Sequence, residues 1–218
     1  MEPGFEAAIQ VFWIKNRSLI LSICAAALLA IMAREGWQYF SAQREKGVQE
    51  EYAKLADRTD KLAAFALANP GHTLAGVAYL RLADENFSNV DYKQAAAGYQ
   101  QAIGSLKNEA LLGRARLGMA MSQLNGGDKA TGEAALKALG TDQSLLKSVR
   151  AEATYHLASL AVEAGKIDEM KKLVDEVGKI DTSGTWSRRA TILLATAQIS
   201  GQPAETTTQT ITFKPGGK

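Results

Sequence analysis

An uncharged apolar segment lies near the start of the chain, with the sequence SLILSICAAALLAIMA from Ser18 to Ala33. As a helix that rises about 1.5 Å per residue, a segment of this length covers about 24 Å of a bilayer core of about 30 Å. Aromatic residues, which favour membrane interfaces, border it on both sides: Phe12, Trp13, Trp37, Tyr39 and Phe40. The pattern predicts a transmembrane anchor over residues 18–36, preceded by a short cytoplasmic N-terminus over residues 1–17.

Two cleavable signals compete with a permanent anchor. Secretory cleavage after Ala33 would put the branched Ile31 where the peptidase needs a small residue, and cleavage after Ala27 leaves an apolar region of only about six residues. A lipid anchor on Cys24 would need a small residue where Ile23 stands. A buried core helix is a third alternative, but the rest of the fold would have to cover it on all faces. We therefore favour the anchor.

Positive charges on the two sides of the apolar segment are nearly balanced. Lys15 and Arg17 lie directly before it, Arg34 lies directly after it, and Arg44 and Lys46 lie about ten residues further on. The bunching on the N-terminal side favours an N-terminus in the cytoplasm, with the rest of the chain outside it.

Apolar residues recur with helical spacing after the anchor, and polar residues fill the positions between them. This pattern predicts a membrane-proximal amphipathic helix over residues 37–69, with the apolar residues Val48, Tyr52, Leu55, Leu62 and Phe65. Pro70 and Gly71 then end the helix, because proline disfavours helix in the residue before it.

The sequence pattern of residues 70–200 predicts a series of helical hairpins joined by tight glycine turns, and it predicts no strand. The predicted helices are 73–86, 92–105, 109–124, 129–139, 145–164, 168–180 and 187–199. A flexible threonine-rich tail is predicted over residues 201–218. The fold class is therefore all-α, with a single transmembrane helix followed by an α-solenoid of antiparallel helix pairs.

Small and large apolar residues repeat along the hairpins. The first copy contains Tyr79, Leu82, Ala83, Ala95, Tyr99 and Ala102. A shift of 75 residues gives a second match, with Thr154, Leu157, Ala158, Met170, Val174 and Val177. A looser middle copy uses Leu117, Gly118, Met121, Gly127 and Leu136. This spacing is similar to that of the tetratricopeptide repeat, in which small residues let two helices approach closely.

The single span, the long helix after it, the proline break and the degenerate repeats together resemble the tetratricopeptide-like periplasmic proteins of the YfgM type, ancillary subunits of the bacterial SecYEG translocon. The resemblance covers roughly residues 14–199. It implies a single-pass protein of the bacterial inner membrane with its repeat domain in the periplasm. The implied partners are SecYEG, periplasmic chaperones and exported or translocating proteins.

Composition argues against several other classes of function. The 25 Lys and Arg residues nearly balance the 23 Asp and Glu residues and are interspersed with them, so no basic surface for nucleic acid is expected. The only cysteine, Cys24, lies in the apolar segment, which leaves no disulfide framework or thiol metal site. His72 and His156 belong to no catalytic motif. We expect no catalysis, cofactor, metal or small-molecule substrate.

In tetratricopeptide arrays, the first helix of each hairpin builds the inner wall. The resemblance places these partner-binding candidates there: Val77, Leu80, Phe87, Leu112, Met119, Tyr155 and Val162. Leu80 and Met119 cannot donate hydrogen bonds to a terminal carboxylate, so a partly apolar wall suits unfolded segments or an amphipathic helix instead. The same residues are equally consistent with a core role, and the sequence leaves both interpretations open.

The resulting hypothesis is a membrane-anchored, non-catalytic interaction module that assists exported or translocating proteins near the Sec translocon. The alternative is a structural scaffold for envelope assembly or cell division that self-associates through the long helix.

The anchor predicts that the full-length chain stays in the membrane fraction after gentle cell breakage. A reporter that works only outside the cytoplasm, fused after Lys218, is expected to be active. A soluble chain that lacks residues 1–36 would contradict the anchor, and a reporter that is active only in the cytoplasm would contradict the orientation.

Overall fold

The computed structural model of the chain describes residues 4–55 and 58–201, and every regular element in those ranges is an α-helix. The helices are α1 (Phe5–Leu55), α2 (Thr59–Ala68), α3 (Thr73–Ser88), α4 (Tyr92–Ser105), α5 (Glu109–Asn125), α6 (Lys129–Thr141), α7 (Lys147–Glu163), α8 (Ile167–Ile180) and α9 (Thr185–Gly201). The all-α prediction is confirmed. Beyond Gly201, the predicted tail lies outside the described residues. Contacts divide the chain into two units, Met1–Asp57 and Arg58–Lys218.

The first unit is built on α1, a single helix of 51 residues. It is the one helix in the described ranges that is long and apolar enough to cross a membrane, and none of its apolar stretch is buried inside the protein. Large apolar side chains such as Leu29 and Met32 point into the surroundings. The helix continues without a break from the apolar segment to Leu55.

The single amphipathic helix predicted over residues 37–69 is two helices in the structure. Its first part is the end of α1, and its second part is α2, which belongs to the second unit and packs against α3. Three residues of α2 are buried: Leu62, Phe65 and Ala66. The predicted stop after α2 is confirmed, because the Asn69 N–H caps the helix and Gly71 adopts a φ of 74°.

Three helix pairs and a final helix make up the rest of the second unit. The pairs are α3 with α4, α5 with α6, and α7 with α8, and each second helix also packs against the first helix that follows. The first helices contact one another directly, whereas no close packing joins α4 to α6 or α6 to α8 within the described residues. The first helices therefore line the inner side of the array.

The turns inside the three pairs share one conformation. Val90, Gly127 and Gly165 have φ values of 66°, 97° and 69°, and each stands directly before the N-cap residue of the second helix. In the first two turns this N-cap is an aspartate, Asp91 or Asp128, whose carboxylate accepts a backbone N–H of the first helical turn. The pairs are thus in register at their turns.

This register differs from the prediction for the middle copy. Counting back eight residues from each N-cap reaches Ala83, Ala120 and Ala158, which are all completely buried. A Cβ added at Gly132 would lie 2.8 Å from the Ala120 carbonyl oxygen, so α5 and α6 cross at Ala120. The spacing had placed Gly118 at this crossing. Gly118 instead faces the ring of Tyr99 from the preceding pair, where only a hydrogen fits.

Two glycine substitutions are expected to have opposite effects on stability, because one glycine lies at the close crossing and the other lies in open space. Gly132→Ala would bring a methyl group within 2.6 Å of Leu124 Cγ and should lower the free energy of unfolding by about 1–2 kcal/mol. Gly178→Ala meets no atom within 4 Å and should raise it by about 0.5–1 kcal/mol, because alanine favours helix. Urea denaturation of the detergent-solubilised chain measures both, and a neutral or stabilising Gly132→Ala would contradict the crossing.

Candidate protein-interaction cleft

The first helices of the three pairs border a cleft of about 480 Å³. Its large apolar lining residues come from α3, α5, α7 and the residue before α7: Phe87, Leu117, Met121, Leu146 and Val149. The volume lies in the range of ordinary ligand sites, and the cleft is open to solvent.

A polar cluster joins α3, α4 and α5 at one side of the cleft. The Tyr99 hydroxyl donates a 2.8 Å hydrogen bond to Asp84, and the Arg114 guanidinium lies 2.5 Å from the other carboxylate oxygen. Burial and the hydrogen bond to Asp84 hold the pKa of Tyr99 well above its usual range. The charge of Asp84 is therefore compensated within the cleft, and Arg114 is held in place.

Glu152 and His156 lie one turn apart on α7 at the other side of the cleft. Glu152 Oε1 and His156 Nε2 are 4.0 Å apart, which is too far for a hydrogen bond. Burial raises the pKa of Glu152, against the opposing charges of Arg189 and Arg114. Burial lowers the pKa of His156, and the charge of Arg189 lowers it further.

Helix α9 covers the outer edge of this side. The Trp186 ring lies 5.3 Å from that of Tyr155 and 6.0 Å from that of His156. The Arg189 guanidinium stacks over Trp186, 4.6 Å from the ring centroid.

The sequence of the chain matches a known protein family. Residues 10–152, more than half of the chain, match the model of the tetratricopeptide repeat-like domain. The chain belongs to this family. No curated protein and no solved structure matches the chain significantly. Tetratricopeptide repeat-like domains typically bind proteins or peptides and are typically non-catalytic, so the cleft is most simply an interaction surface.

The matched region runs from the first turns of α1, before the apolar segment, into α7, where it ends at Glu152. The tetratricopeptide repeat-like domain thus includes the long N-terminal helix as well as the first two helix pairs. No group of three His, Cys, Asp or Glu side chains in the described ranges is placed to hold a metal ion.

Of the seven predicted partner-binding residues, Phe87 lines the cleft. Leu80 is buried in the core between α3, α4 and α5, and three others are half-buried against that core: Val77, Leu112 and Met119. Tyr155 packs near Val177 and Trp186, and Val162 packs near Met170. The structure thus gathers five of the seven around one cluster and puts two elsewhere. Contact with a partner stays a prediction for all of them.

The sequence prediction missed all five cleft residues of α5, and three of them show why. They are Arg114, Leu117 and Met121, and they stand 37 positions after Val77, Leu80 and Asp84. The spacing used for the middle copy was two residues shorter. The separation of Asp91 and Asp128, also 37, would have shown the correct spacing, because each caps the second helix of its pair.

A second cavity, of about 220 Å³, lies among α6, α7 and α8. Its floor contains Leu157, Leu160 and Leu173, and a Lys137–Glu133 ion pair of 2.8 Å lies at its edge. It is smaller than the usual ligand pocket and is separate from the cleft.

The environment of His156 predicts a pH effect on stability. Because its pKa is lowered below 6.5, the folded protein binds this proton less readily than the unfolded chain does. The stability that the folded protein gains by keeping His156 neutral is therefore fully present above pH 6.5. It is lost as the pH falls below 6.5. When the pH is lowered from about 7 to about 5, we expect the natural protein to lose more free energy of unfolding than the His156→Phe variant. The variant keeps an aromatic ring but cannot be protonated.

Urea denaturation of both proteins at the two pH values measures the difference. Glu152 titrates in both proteins, so the comparison isolates His156. An equal loss of stability in the two proteins would contradict the effect.

Proposed function

We propose that this protein is a membrane-anchored, non-catalytic interaction module of the YfgM type. It lies in the bacterial inner membrane, with residues 18–36 as the span and residues 1–17 in the cytoplasm. Residues 37–69 connect the span to a repeat domain over residues 70–200 in the periplasm, followed by a flexible tail. The domain assists exported or translocating proteins near the SecYEG translocon, together with periplasmic chaperones. The observation that carries the proposal is the cleft that the three first helices border.

The chemistry of the cleft favours a peptide segment over a chain terminus. Arg114 is the cation of the α5 wall, and its charge is already offset by its ion pair with Asp84, which weakens it as a clamp for a terminal carboxylate. Leu117 and Met121 supply an apolar wall, and the flexible thioether of methionine adapts to different side chains. A cleft of this kind accepts many sequences with large apolar residues.

The anchor strengthens binding by raising the effective concentration of the domain near its partners. A domain tethered to the membrane meets membrane-associated partners at a higher effective concentration than a free domain does, without any additional contact. Weak binding in the cleft is then sufficient for function. This suits segments that bind briefly while they emerge from a translocon.

Among the residues that the sequence predicted, we propose that Phe87 contacts the bound segment directly. The other six support the first helices from behind or lie outside the cleft, and they act through the shape of its walls.

The scaffold alternative retains one supporting observation. Trp37, Tyr39 and Phe40 are highly exposed on α1, so this helix has apolar surface available for self-association. Under that alternative, substitutions in the cleft would leave function intact and substitutions on α1 would not.

Leu146→Glu is the substitution that tests the cleft. Leu146 is 38% exposed and lines the cleft, so a charge there should weaken binding of an apolar peptide about tenfold with little effect on folding. Leu67→Glu is the matched control, because Leu67 is 72% exposed on α2 and does not line the cleft. Fluorescence anisotropy with the full chain in lipid nanodiscs measures both. Equal affinities of the two variants would contradict the proposed function.

A further inference from the structure

Glu152 is a half-buried carboxylate that forms no ion pair with a lysine or arginine in the ranges that the structure describes. It lines the cleft from α7, next to the apolar Val149. Within the part of the chain that the structure describes, it accepts no hydrogen bond, and its nearest basic atom is His156 Nε2 at 4.0 Å. Burial also raises its pKa, because desolvation disfavours the charged form.

The neighbouring basic groups are engaged elsewhere. The Arg114 guanidinium is paired with Asp84, and the Arg189 guanidinium lies over the Trp186 ring. Both lower the pKa of Glu152 through their charge, but neither forms an ion pair with it. Burial lowers the pKa of His156, so its neutral form is favoured and it is a poor ion-pair partner for Glu152. A cation from outside is therefore the natural complement of the carboxylate.

We propose that the cleft selects segments in which a lysine or arginine lies beside large apolar side chains, with the basic group paired to Glu152. This inference rests on the proposed function and names the class of segment that the cleft binds. The apolar side chains of the segment pack against Met121, Leu146 and Val149, and its basic group reaches the carboxylate at the same wall.

The pairing gives selectivity because the Glu152 carboxylate is already partly desolvated in the folded protein, before any segment binds. A guest cation compensates the desolvated carboxylate, whereas a guest carboxylate is repelled by it. Arg114 does not reverse this preference, because its charge is already offset by Asp84, which the Tyr99 hydroxyl also holds. A neutral segment gains only the apolar contacts.

The test uses the full chain in lipid nanodiscs and short fluorescein-labelled peptides. The peptides share the same leucine and phenylalanine residues and differ at one central position, which is lysine, glutamine or glutamate. Fluorescence anisotropy is expected to show the lysine peptide binding about tenfold more tightly than the glutamine peptide, and the glutamate peptide binding most weakly.

Variants of Glu152 locate the effect. Glu152→Gln keeps the size of the side chain and should abolish the preference for lysine, and Glu152→Lys should reverse it towards glutamate. Glu176→Gln is the matched control, because it makes the same change in net charge at an exposed glutamate of α8 that does not line the cleft. This control should keep the full preference.

The outcomes separate the two proposals. If the three peptides bind with equal affinity, or if Glu152→Gln keeps the preference for lysine, the selectivity is overturned while the binding function stands. If no peptide binds, or if Leu146→Glu leaves binding unchanged, the proposed function fails and the selectivity fails with it.

Discussion

The repeat domain depends on the close crossing of two helices at one small residue in each pair. Ala83, Ala120 and Ala158 occupy this point, eight residues before each turn, and all are completely buried. A larger side chain there would push the helices apart, because packed interiors have little free space. The positive φ of Gly127 and its two counterparts lets the chain reverse directly after the first helix, so the crossing recurs at the same distance from each turn.

The crossing also determines which residues face the cleft. It sets the rotation of each first helix about its axis, and this rotation brings Arg114 and Met121 to the inner side of α5. The same rotation turns Gly118 towards Tyr99, and the absence of a side chain leaves room for the ring. The Tyr99 hydroxyl then reaches Asp84, which in turn holds Arg114. One steric constraint thus leads to a polar connection across α3, α4 and α5.

Helix α9 completes the array at its other end. A repeat array buries the apolar face of each unit against the next, so the last pair needs a covering element. Ala190 and Ala197 of α9 are buried, and α9 packs against both α7 and α8. The same helix packs Trp186 against Tyr155 and His156. It also carries Arg189, whose charge lowers the pKa of Glu152, so it affects the electrostatic surroundings of Glu152 as well as stability.

The sequence by itself determined the elements of this protein. Apolar spacing predicted every helix from α3 to α9 to within two residues, because that spacing records which face of a helix is covered. Length and lack of charge were enough to recognise the apolar part of α1. Tertiary structure alone decided the break between α1 and α2 and the separation of core from cleft, whereas the register of the middle pair was also encoded in the separation of Asp91 and Asp128. Leu80 and Phe87 have similar chemistry and lie on the same helix, yet one is buried in the core and the other lines the cleft. The reason is that a neighbouring helix and a bound segment both favour apolar side chains, so only the position of the neighbouring helices shows which residues stay accessible.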